Sequence, residues 1–380
     1  METLEPKIDG GIQFFESGDV FLYLCDDEVT EFTVPEGITE IGKGAFVGKD
    51  KLVRVTLPST LAKIGEAAFI GCTSLLEITV PSGVSHIGKE AFSCCNALRK
   101  AVLPEGLSEL SENLFCDCRS LEEIKIPFGV TKIASGAFSL CSSLASVDLP
   151  EGLSEIGESA FDSCSCLTEI KIPDTTLLIG SSAFEKCVSL KSISFGESIL
   201  EIGEAAFSGC RSLKALELPS SARKIGRCVF SDCELLGDIK LSSSLCEIPS
   251  YAFSRCGALQ KIEIPASVVK ISSFAFDFCK SLTEITLSEG LEIIEHLAFL
   301  RTPVKAIRVP NSIKKLNKYA FSHCTELVSL TLPKRFRFKL KGYLNNYDFS
   351  VFYSIFDKKN KKKKNGKTKK TRIAPEIIYE

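Results

Sequence analysis

The sequence has no run of 18 apolar residues, so it predicts no helix that crosses a membrane. Its first residues, METLEPKIDGG, are polar and acidic and lack the basic start and apolar core of a secretory signal, so we expect none here. The sequence favours a cytoplasmic protein, and it leaves a nuclear or cell-surface location open.

The sequence also lacks the short motifs of common enzyme classes. It contains no G-x-S-x-G, no H-E-x-x-H and no dinucleotide-binding fingerprint. Gly366-Lys367-Thr368 resembles the end of a P-loop, but Lys361 stands where the first glycine of that loop belongs. We therefore expect no enzymatic activity, no catalytic residue and no cofactor.

Histidine is scarce, and the chain has three: His86, His296 and His323. They occupy unrelated positions in the chain. Cys116-x-Cys118 and Cys164-x-Cys166 are spaced more closely than the C-x2-4-C pairs of zinc sites and have no second pair nearby. The sequence therefore predicts no metal site.

What the sequence does have is a regular spacing of phenylalanine. Twelve stand 23 residues apart and one more follows after 22. They are Phe46, Phe69, Phe92, Phe115, Phe138, Phe161, Phe184, Phe207, Phe230, Phe253, Phe276, Phe299 and Phe321. A fixed period of about 20 to 50 residues is typical of stacked units that bury their apolar faces on one another. The spacing predicts a repeat solenoid of about 13 repeats.

Each repeat carries the pattern of one short strand. A leucine usually stands six residues after the phenylalanine, and aliphatic residues follow at positions nine and eleven, as Ile124 and Ile126 do. This alternation predicts a strand with one buried and one exposed side. A proline such as Pro127 usually follows and ends the strand, because it has no N–H to donate.

The rest of each repeat has a longer apolar period. Aliphatic residues recur at positions fifteen and eighteen, as Val84 and Ile87 do, often with a glycine and then Ala-Phe after them. This spacing predicts turns or short helical segments on the far side of each coil. Because these are bulkier than strands stacked at about 4.8 Å, we expect a parallel sheet on the concave side of a bent coil.

The repeat at residues 72–95 reads C-x-x-L-x-x-I-x-V-P-x-x-V-x-x-I-G-x-x-A-F-x-x-C. It resembles the BspA-like, or Treponema-type, leucine-rich repeat, and the resemblance extends over residues 32–333. The resemblance implies a leucine-rich-repeat arc that binds protein partners or extracellular matrix. It does not identify a partner.

Eleven of the 17 cysteines occupy one column, three residues after the phenylalanine. They are Cys72, Cys95, Cys118, Cys141, Cys164, Cys187, Cys210, Cys233, Cys256, Cys279 and Cys324. Stacking would bring neighbours within about 5 Å, which is disulfide range, but each would have two equivalent neighbours and no unique mate. The column therefore favours a buried ladder of thiols that meet turn carbonyls, and so many thiols favour a reducing compartment.

The repeats occupy residues 31–333. We expect residues 1–30 to cap them, because residues 12–24 have the pattern of a hairpin. Residues 334–357 are apolar and aromatic without the period, and they predict a C-terminal cap. Residues 358–380 are expected to form a basic, disordered tail.

The net charge of −2 conceals an uneven distribution. Residues 334–380 carry 15 Lys and Arg against 4 Asp and Glu, which leaves 31 against 44 in residues 1–333. The tail cations are Lys358, Lys359, Lys361, Lys362, Lys363, Lys364, Lys367, Lys369, Lys370 and Arg372. Such a run is a solvated extension, a nuclear localisation signal, or a contact for nucleic acid or an anionic membrane surface.

Positions eight and ten of each repeat should project from the concave sheet. The charged residues at these two positions form the candidate partner-binding face: Arg54, Glu77, Lys100, Glu123, Lys125, Asp148, Glu169, Lys171, Glu217, Asp238, Lys240, Lys261, Glu263, Glu284 and Arg308. Their signs often alternate from repeat to repeat, which avoids repulsion within the sheet. Neither row contains an aromatic residue that could anchor a partner.

One repeat is irregular. Between Phe299 and Phe321, residues 301–304 replace the usual Cys-x-x-Leu and one residue is lost, so we expect a local distortion of the ladder there.

The sequence favours a non-enzymatic scaffold that binds a protein partner through its repeat surface. A cell-surface adhesin of BspA type that binds host or matrix proteins is the alternative. A nucleic-acid or nuclear role of the tail is a further, weaker hypothesis.

Overall fold

The structure is a computed structural model that describes residues 7–9, 12–336 and 376–379. The chain divides into two compact units, Met1–Ser212 and Leu213–Glu380. The predicted fold class is confirmed: the chain is a parallel β-solenoid of about 14 turns of about 23 residues.

Unit one begins with three antiparallel strands, β1 (Lys7–Asp9), β2 (Ile12–Ser17) and β3 (Val20–Leu24). β2 and β3 form a hairpin at the position that the sequence indicates, and Gly18 supplies the positive φ (59°) of its turn. The buried Phe21 of β3 stacks on Phe46 at 5.0 Å between ring centroids. The hairpin thus covers the first full repeat.

The remaining strands of unit one follow in chain order. They are β4 (Glu31–Thr33), β5 (Glu40–Ile41), β6 (Arg54–Thr56), β7 (Lys63–Ile64), β8 (Glu77–Thr79), β9 (His86–Ile87), β10 (Lys100–Val102), β11 (Glu109–Leu110), β12 (Glu123–Lys125), β13 (Lys132–Ile133), β14 (Ser146–Asp148), β15 (Glu155–Ile156), β16 (Glu169–Lys171), β17 (Leu178–Ile179), β18 (Ser192–Ser194) and β19 (Glu201–Ile202).

Unit two continues the pattern. Its strands are β20 (Ala215–Glu217), β21 (Lys224–Ile225), β22 (Asp238–Lys240), β23 (Glu247–Ile248), β24 (Lys261–Ile264), β25 (Lys270–Ile271), β26 (Glu284–Leu287), β27 (Ile293–Ile294), β28 (Ala306–Arg308), β29 (Lys315–Leu316), β30 (Ser329–Leu332) and β31 (Glu376–Tyr379). A 3-10 turn, η1, covers Lys334–Phe336 and is the one helical element among the described residues.

The even-numbered strands from β4 to β30, here called the wide strands, have three or four residues, and the odd-numbered strands from β5 to β29, the narrow strands, have two. Each repeat thus contributes one strand to each of two rows. Pairing is parallel and in register, as in Lys100↔Glu77 and Lys132↔Glu155. The narrow row was not predicted as strand, because two residues are too few to show a period.

The return segment around each phenylalanine is a turn, because its backbone contains left-handed residues. Residues two before and two after the phenylalanine have positive φ, as in Ala67 (52°) and Gly71 (74°) around Phe69. Among the described residues, twenty non-glycine residues adopt such angles. Two left-handed residues four positions apart interrupt a right-handed helix, so of the two predicted alternatives, turns or short helical segments, the described return side has turns.

The core of each unit consists of the repeated columns. In unit one the phenylalanine rings stack nearly parallel, as between Phe115 and Phe138 (5.6 Å, 9°) and Phe138 and Phe161 (5.2 Å, 12°). The column cysteines are buried, and they typically donate the S–H to a phenylalanine carbonyl of the preceding repeat, as Cys141 does to Phe115 at 3.1 Å. Burial raises the pKa of the Cys72 thiol to about 12. The predicted cysteine ladder is therefore present, and its sulfurs stay protonated.

Lys49 occupies the first position of the cysteine column, and its side chain is only 2% exposed. Its Nζ forms an ion pair with Asp27 and lies 4.9 Å from the centre of the Tyr23 ring. Burial lowers the pKa of Lys49, but its hydrogen bond to Asp27 and nearby negative charge raise the pKa above its usual value overall. The hydrogen bond and charge of Lys49 in turn lower the pKa of Asp27. An ion pair between the buried Lys49 and the exposed Asp27 thus links the first repeat to the segment that follows the N-terminal hairpin.

The irregular repeat in unit two keeps the stacked rings and changes the ladder of hydrogen bonds. Thr302 stands in the cysteine column, where its hydroxyl donates to the Phe299 carbonyl at 2.9 Å and contacts Cys324 Sγ at 3.3 Å. The rings of Phe276, Phe299 and Phe321 stack at 5.2 and 5.4 Å. The column of rings therefore continues through this repeat, but the ladder of hydrogen bonds is locally altered, because Thr302 donates within its own repeat rather than to the preceding one.

The C-terminal segment also differs from expectation. β31, which lies within the predicted disordered tail, pairs in parallel with β30, with Leu330 opposite Ile377 and Leu332 opposite Tyr379. β31 thus adds one more strand to the sheet that contains β30. The rest of the predicted C-terminal cap after Phe336 lies outside the described residues, as do all ten predicted tail cations.

Candidate binding face

The candidate face consists of the exposed side chains of the wide strands. In β12 the flanking Glu123 and Lys125 are exposed and Ile124 between them is buried, and most other wide strands repeat this pattern. All fifteen residues of the candidate face are exposed in the structure. The alternation places every second side chain outward, as the sequence predicts.

Parallel register sets opposite charges beside one another on this face. Lys100 lies opposite Glu77 in β8, and Lys261 of unit two lies opposite Glu284. Lys240 forms an ion pair with Glu217, whose hydrogen bond raises the pKa of Lys240. Such exposed pairs contribute little to stability, because water screens the charges and ordering two long side chains costs entropy.

Two lysines of unit one form a different kind of pair. Lys125 Nζ lies 3.0 Å from Glu105 and Lys171 Nζ lies 3.3 Å from Glu151. Both glutamates stand at position thirteen, in the turn that follows a wide strand. The hydrogen bond from Lys125 and a second from a backbone N–H lower the pKa of Glu105. The lysines thus fix turns at the border of the face.

An open depression lies on the described face in each unit. In unit one a groove of about 440 Å³ crosses β10, β12 and β14. In unit two a groove of about 450 Å³ crosses β22, β24 and β26. Each lies where the wide row is divided, because β10 and β12 belong to different sheets, as do β22 and β24. Both volumes are large enough for a few side chains of a partner.

One exposed aromatic residue borders the first groove. Phe128 is 74% exposed and follows Pro127, which lines the groove. The sequence analysis missed Phe128 because it considered positions eight and ten, and Phe128 stands at position thirteen. The other repeats of unit one have serine, glutamate or aspartate there: Ser59, Ser82, Glu105, Glu151, Asp174 and Glu197. Comparing this column would have revealed it.

The described residues contain no group of three His, Cys, Asp or Glu side chains that could hold a metal ion. His296 lies between the rings of Phe274 (5.9 Å) and Tyr319 (5.4 Å), where it takes part in packing. Cys118 and Cys164 both donate to ladder carbonyls. These side chains have structural partners.

The family model of the BspA type leucine rich repeat region (6 copies) matches residues 18–145, 131–259, 200–328 and 246–352. The chain belongs to this family. The family assignment agrees with the repeated columns of this BspA-type protein. The residues that vary from repeat to repeat lie on the exposed side of its wide strands.

Solved structures show the same architecture. A leucine-rich repeat protein from Bacteroides ovatus is 25% identical, with a TM-score of 0.66 over 92% of this chain and 97% of its own. A leucine rich cell surface protein from Faecalibacterium prausnitzii is 28% identical, with a TM-score of 0.53 over 87% and 95%. A leucine-rich repeat protein from Eubacterium ventriosum is 21% identical, with a TM-score of 0.53 over 83% and 93%, and shows the fold alone.

None of the curated proteins compared with the chain matches it. Among the described residues, no helix is long and apolar enough to span a membrane.

Proposed function

We propose that this BspA-type protein is a non-enzymatic scaffold that binds a protein partner through the exposed side of its wide strands. The main observation behind this proposal is the contrast between the buried and the exposed residues of each wide strand. The buried residues are alike from repeat to repeat, whereas the exposed residues change charge, size and polarity. A repeat fold of this kind presents an extended surface with a distinct chemistry at each position.

The state of the cysteines supports a reducing, cytoplasmic location for this scaffold. All 17 are free thiols, and eleven are buried. The ladder thiols act as hydrogen-bond donors to backbone carbonyls, for instance Cys95 to Phe69 at 3.2 Å. Converting them to disulfides would remove these bonds from the core.

A surface adhesin is the second candidate function. It is favoured by the likeness to the Faecalibacterium prausnitzii cell surface protein, which is 28% identical over 87% of this chain. Thiol titration of freshly isolated, denatured, unreduced protein separates the two. The cytoplasmic scaffold predicts about 17 reactive thiols, and native disulfides would contradict it.

The binding role is tested by affinity capture from the cells that express the protein. The bait is the full chain, and the test variant is Lys125→Glu with Lys171→Glu, which reverses two exposed cations of the candidate face. The matched control reverses Lys89 and Lys280, which are exposed but lie outside the face. A partner whose affinity for the test variant, but not for the control, differs from its affinity for the unaltered chain supports the proposal. Equal binding to both variants argues against a site on this part of the face.

A further inference from the structure

The first groove and Phe128 together form a surface that the alternating charges alone do not explain. The groove is lined by Val102 of β10, Pro127 and Glu105, and Val102 is 42% exposed. Phe128 stands beside Pro127, and its ring is 74% exposed. Exposed aromatic rings beside apolar residues are typical of protein contact sites, where a few such side chains supply most of the binding energy.

The turn that carries Phe128 is held in place. Glu105 accepts a hydrogen bond from the backbone N–H of Phe128 at 3.1 Å and another from Lys125 Nζ at 3.0 Å. The Val130 N–H donates to the Pro127 carbonyl at 3.1 Å and closes the turn. A Cβ at Gly129 would lie 3.1 Å from the Leu107 carbonyl oxygen, so the turn packs closely on the repeat below. A fixed turn presents the ring without a large loss of freedom on binding.

Charged pairs stand on both sides of Phe128 in its column. Glu105 and Glu151 occupy position thirteen of the preceding and following repeats, and each is paired with a lysine of the face. An aromatic centre with a polar border is the arrangement found at the energetic centre of many protein interfaces.

The charge around the ring is negative overall. In the four repeats that contain β10, β12, β14 and β16, positions eight, ten and thirteen carry three lysines against six carboxylates. The lysines are Lys100, Lys125 and Lys171, and the carboxylates are Glu105, Glu123, Asp148, Glu151, Glu169 and Asp174. Two of the three lysines are already paired with glutamates. The excess of carboxylates is complementary to a basic partner.

We propose that Phe128 anchors a binding site for a basic amphipathic segment of a protein partner. The apolar face of the segment covers Phe128, Pro127 and Val102, and its lysines or arginines meet Glu123 and Asp148. This inference rests on the proposed scaffold function and names the site and the chemistry of the partner.

The test uses two labelled synthetic helices and the full chain, with binding followed by fluorescence anisotropy. One helix contains leucine and lysine, the other leucine and glutamate, in the same amphipathic order. The leucine–lysine helix is expected to bind, and Phe128→Ala to weaken it at least about tenfold, whereas Phe128→Leu keeps most of the affinity. Raising the salt from about 50 to about 300 mM should weaken binding, since screening shortens the reach of the charges.

Val47→Ala is the matched control, because Val47 is 46% exposed on the return side, away from the groove. It should leave the affinity unchanged. The proposal is overturned if the leucine–lysine helix does not bind, if Phe128→Ala binds it as the unaltered chain does, or if the leucine–glutamate helix binds equally well. Dimers in light scattering that Phe128→Ala dissolves would also overturn it and would make the site an interface between two copies.

These outcomes are distinct from failure of the scaffold function. A natural partner whose affinity changes with the Lys125 and Lys171 reversals but not with Phe128→Ala would leave the scaffold in place and reject the anchor. Helix binding through Phe128 without any natural partner of the face would instead reject the scaffold function.

Discussion

Phe128 and Phe138 lie ten residues apart in one repeat and have opposite roles. Phe138 is fully buried between the rings of Phe115 and Phe161, whereas Phe128 is 74% exposed beside a groove. The first belongs to a column that every regular repeat shares, and the second stands in a column that is otherwise polar in unit one. The residues that build this molecule are therefore different from those that can distinguish one partner from another.

The strongest test of this comparison is the pair Phe138→Ala and Phe128→Ala. Removing the Phe138 ring leaves a cavity between two stacked rings and should cost about 3–5 kcal/mol in the free energy of unfolding. Removing the exposed Phe128 ring should change it by less than about 0.5 kcal/mol. Chemical denaturation of both variants measures this, and equal losses would contradict the division of roles.

The left-handed turns allow a second test on the return side. Gly71→Ala should lower the free energy of unfolding by about 1 kcal/mol, because φ is 74° and alanine disfavours this region. The new Cβ would meet its nearest atom at an ordinary 3.6 Å, so the cost is conformational. Ala67→Gly, at φ 52° in the same repeat, should stay within about 0.5 kcal/mol of the unaltered protein. A large loss of unfolding free energy with Ala67→Gly would contradict a left-handed backbone at this position.

The pair of Lys49 and Asp27 predicts a pH dependence at the N-terminal end. The pKa of Asp27 is lowered from 3.8, so its contribution is present above that pH and is lost as the pH falls through the lowered value. The pKa of Lys49 is raised from 10.5, so its contribution is lost only as the pH rises through that raised value.

We expect Asp27→Asn to lower the melting temperature by no more than about 3 °C between pH 5 and 9. The difference should shrink below pH 4, where the unaltered protein loses the same contribution. Calorimetry across this range provides the measurement, and a difference that does not depend on pH would exclude the pair as its cause.

The smallest effect is expected on the candidate face of unit two. Lys240→Ala removes an exposed ion pair with Glu217 and should shift the melting temperature by less than about 1 °C. A larger shift in melting temperature would mean that the alternating charges of the candidate face stabilise the sheet.

The sequence is sufficient to predict the buried columns and the exposed sides of the wide strands, because thirteen copies of one period average out local exceptions. It does not predict the left-handed turns, since alanine at position 67 and leucine at position 140 have no preference for positive φ. β31 escapes prediction because four residues beside a lysine-rich stretch carry too little pattern to outweigh the composition.

Thr302 was overlooked for a related reason. Because that repeat is one residue short, residues 301–304 were interpreted as a replacement of the whole Cys-x-x-Leu segment. Counting three residues from Phe299 instead places Thr302 in the cysteine column. The exposed rows of the wide strands were predicted, and the exposed Phe128 was missed because it stands in a turn.

The cysteine ladder has a direction, since its thiols donate toward the preceding repeat, as Cys164 does to Phe138 and Cys187 to Phe161. A repeat with this arrangement brings one donor for the repeat before it and one acceptor for the repeat after it, whereas Thr302 donates within its own repeat. Duplication or loss of a complete cysteine-bearing repeat within either unit leaves no donor or acceptor of the ladder orphaned. The length of such a protein can evolve in whole repeats at little cost to its interior.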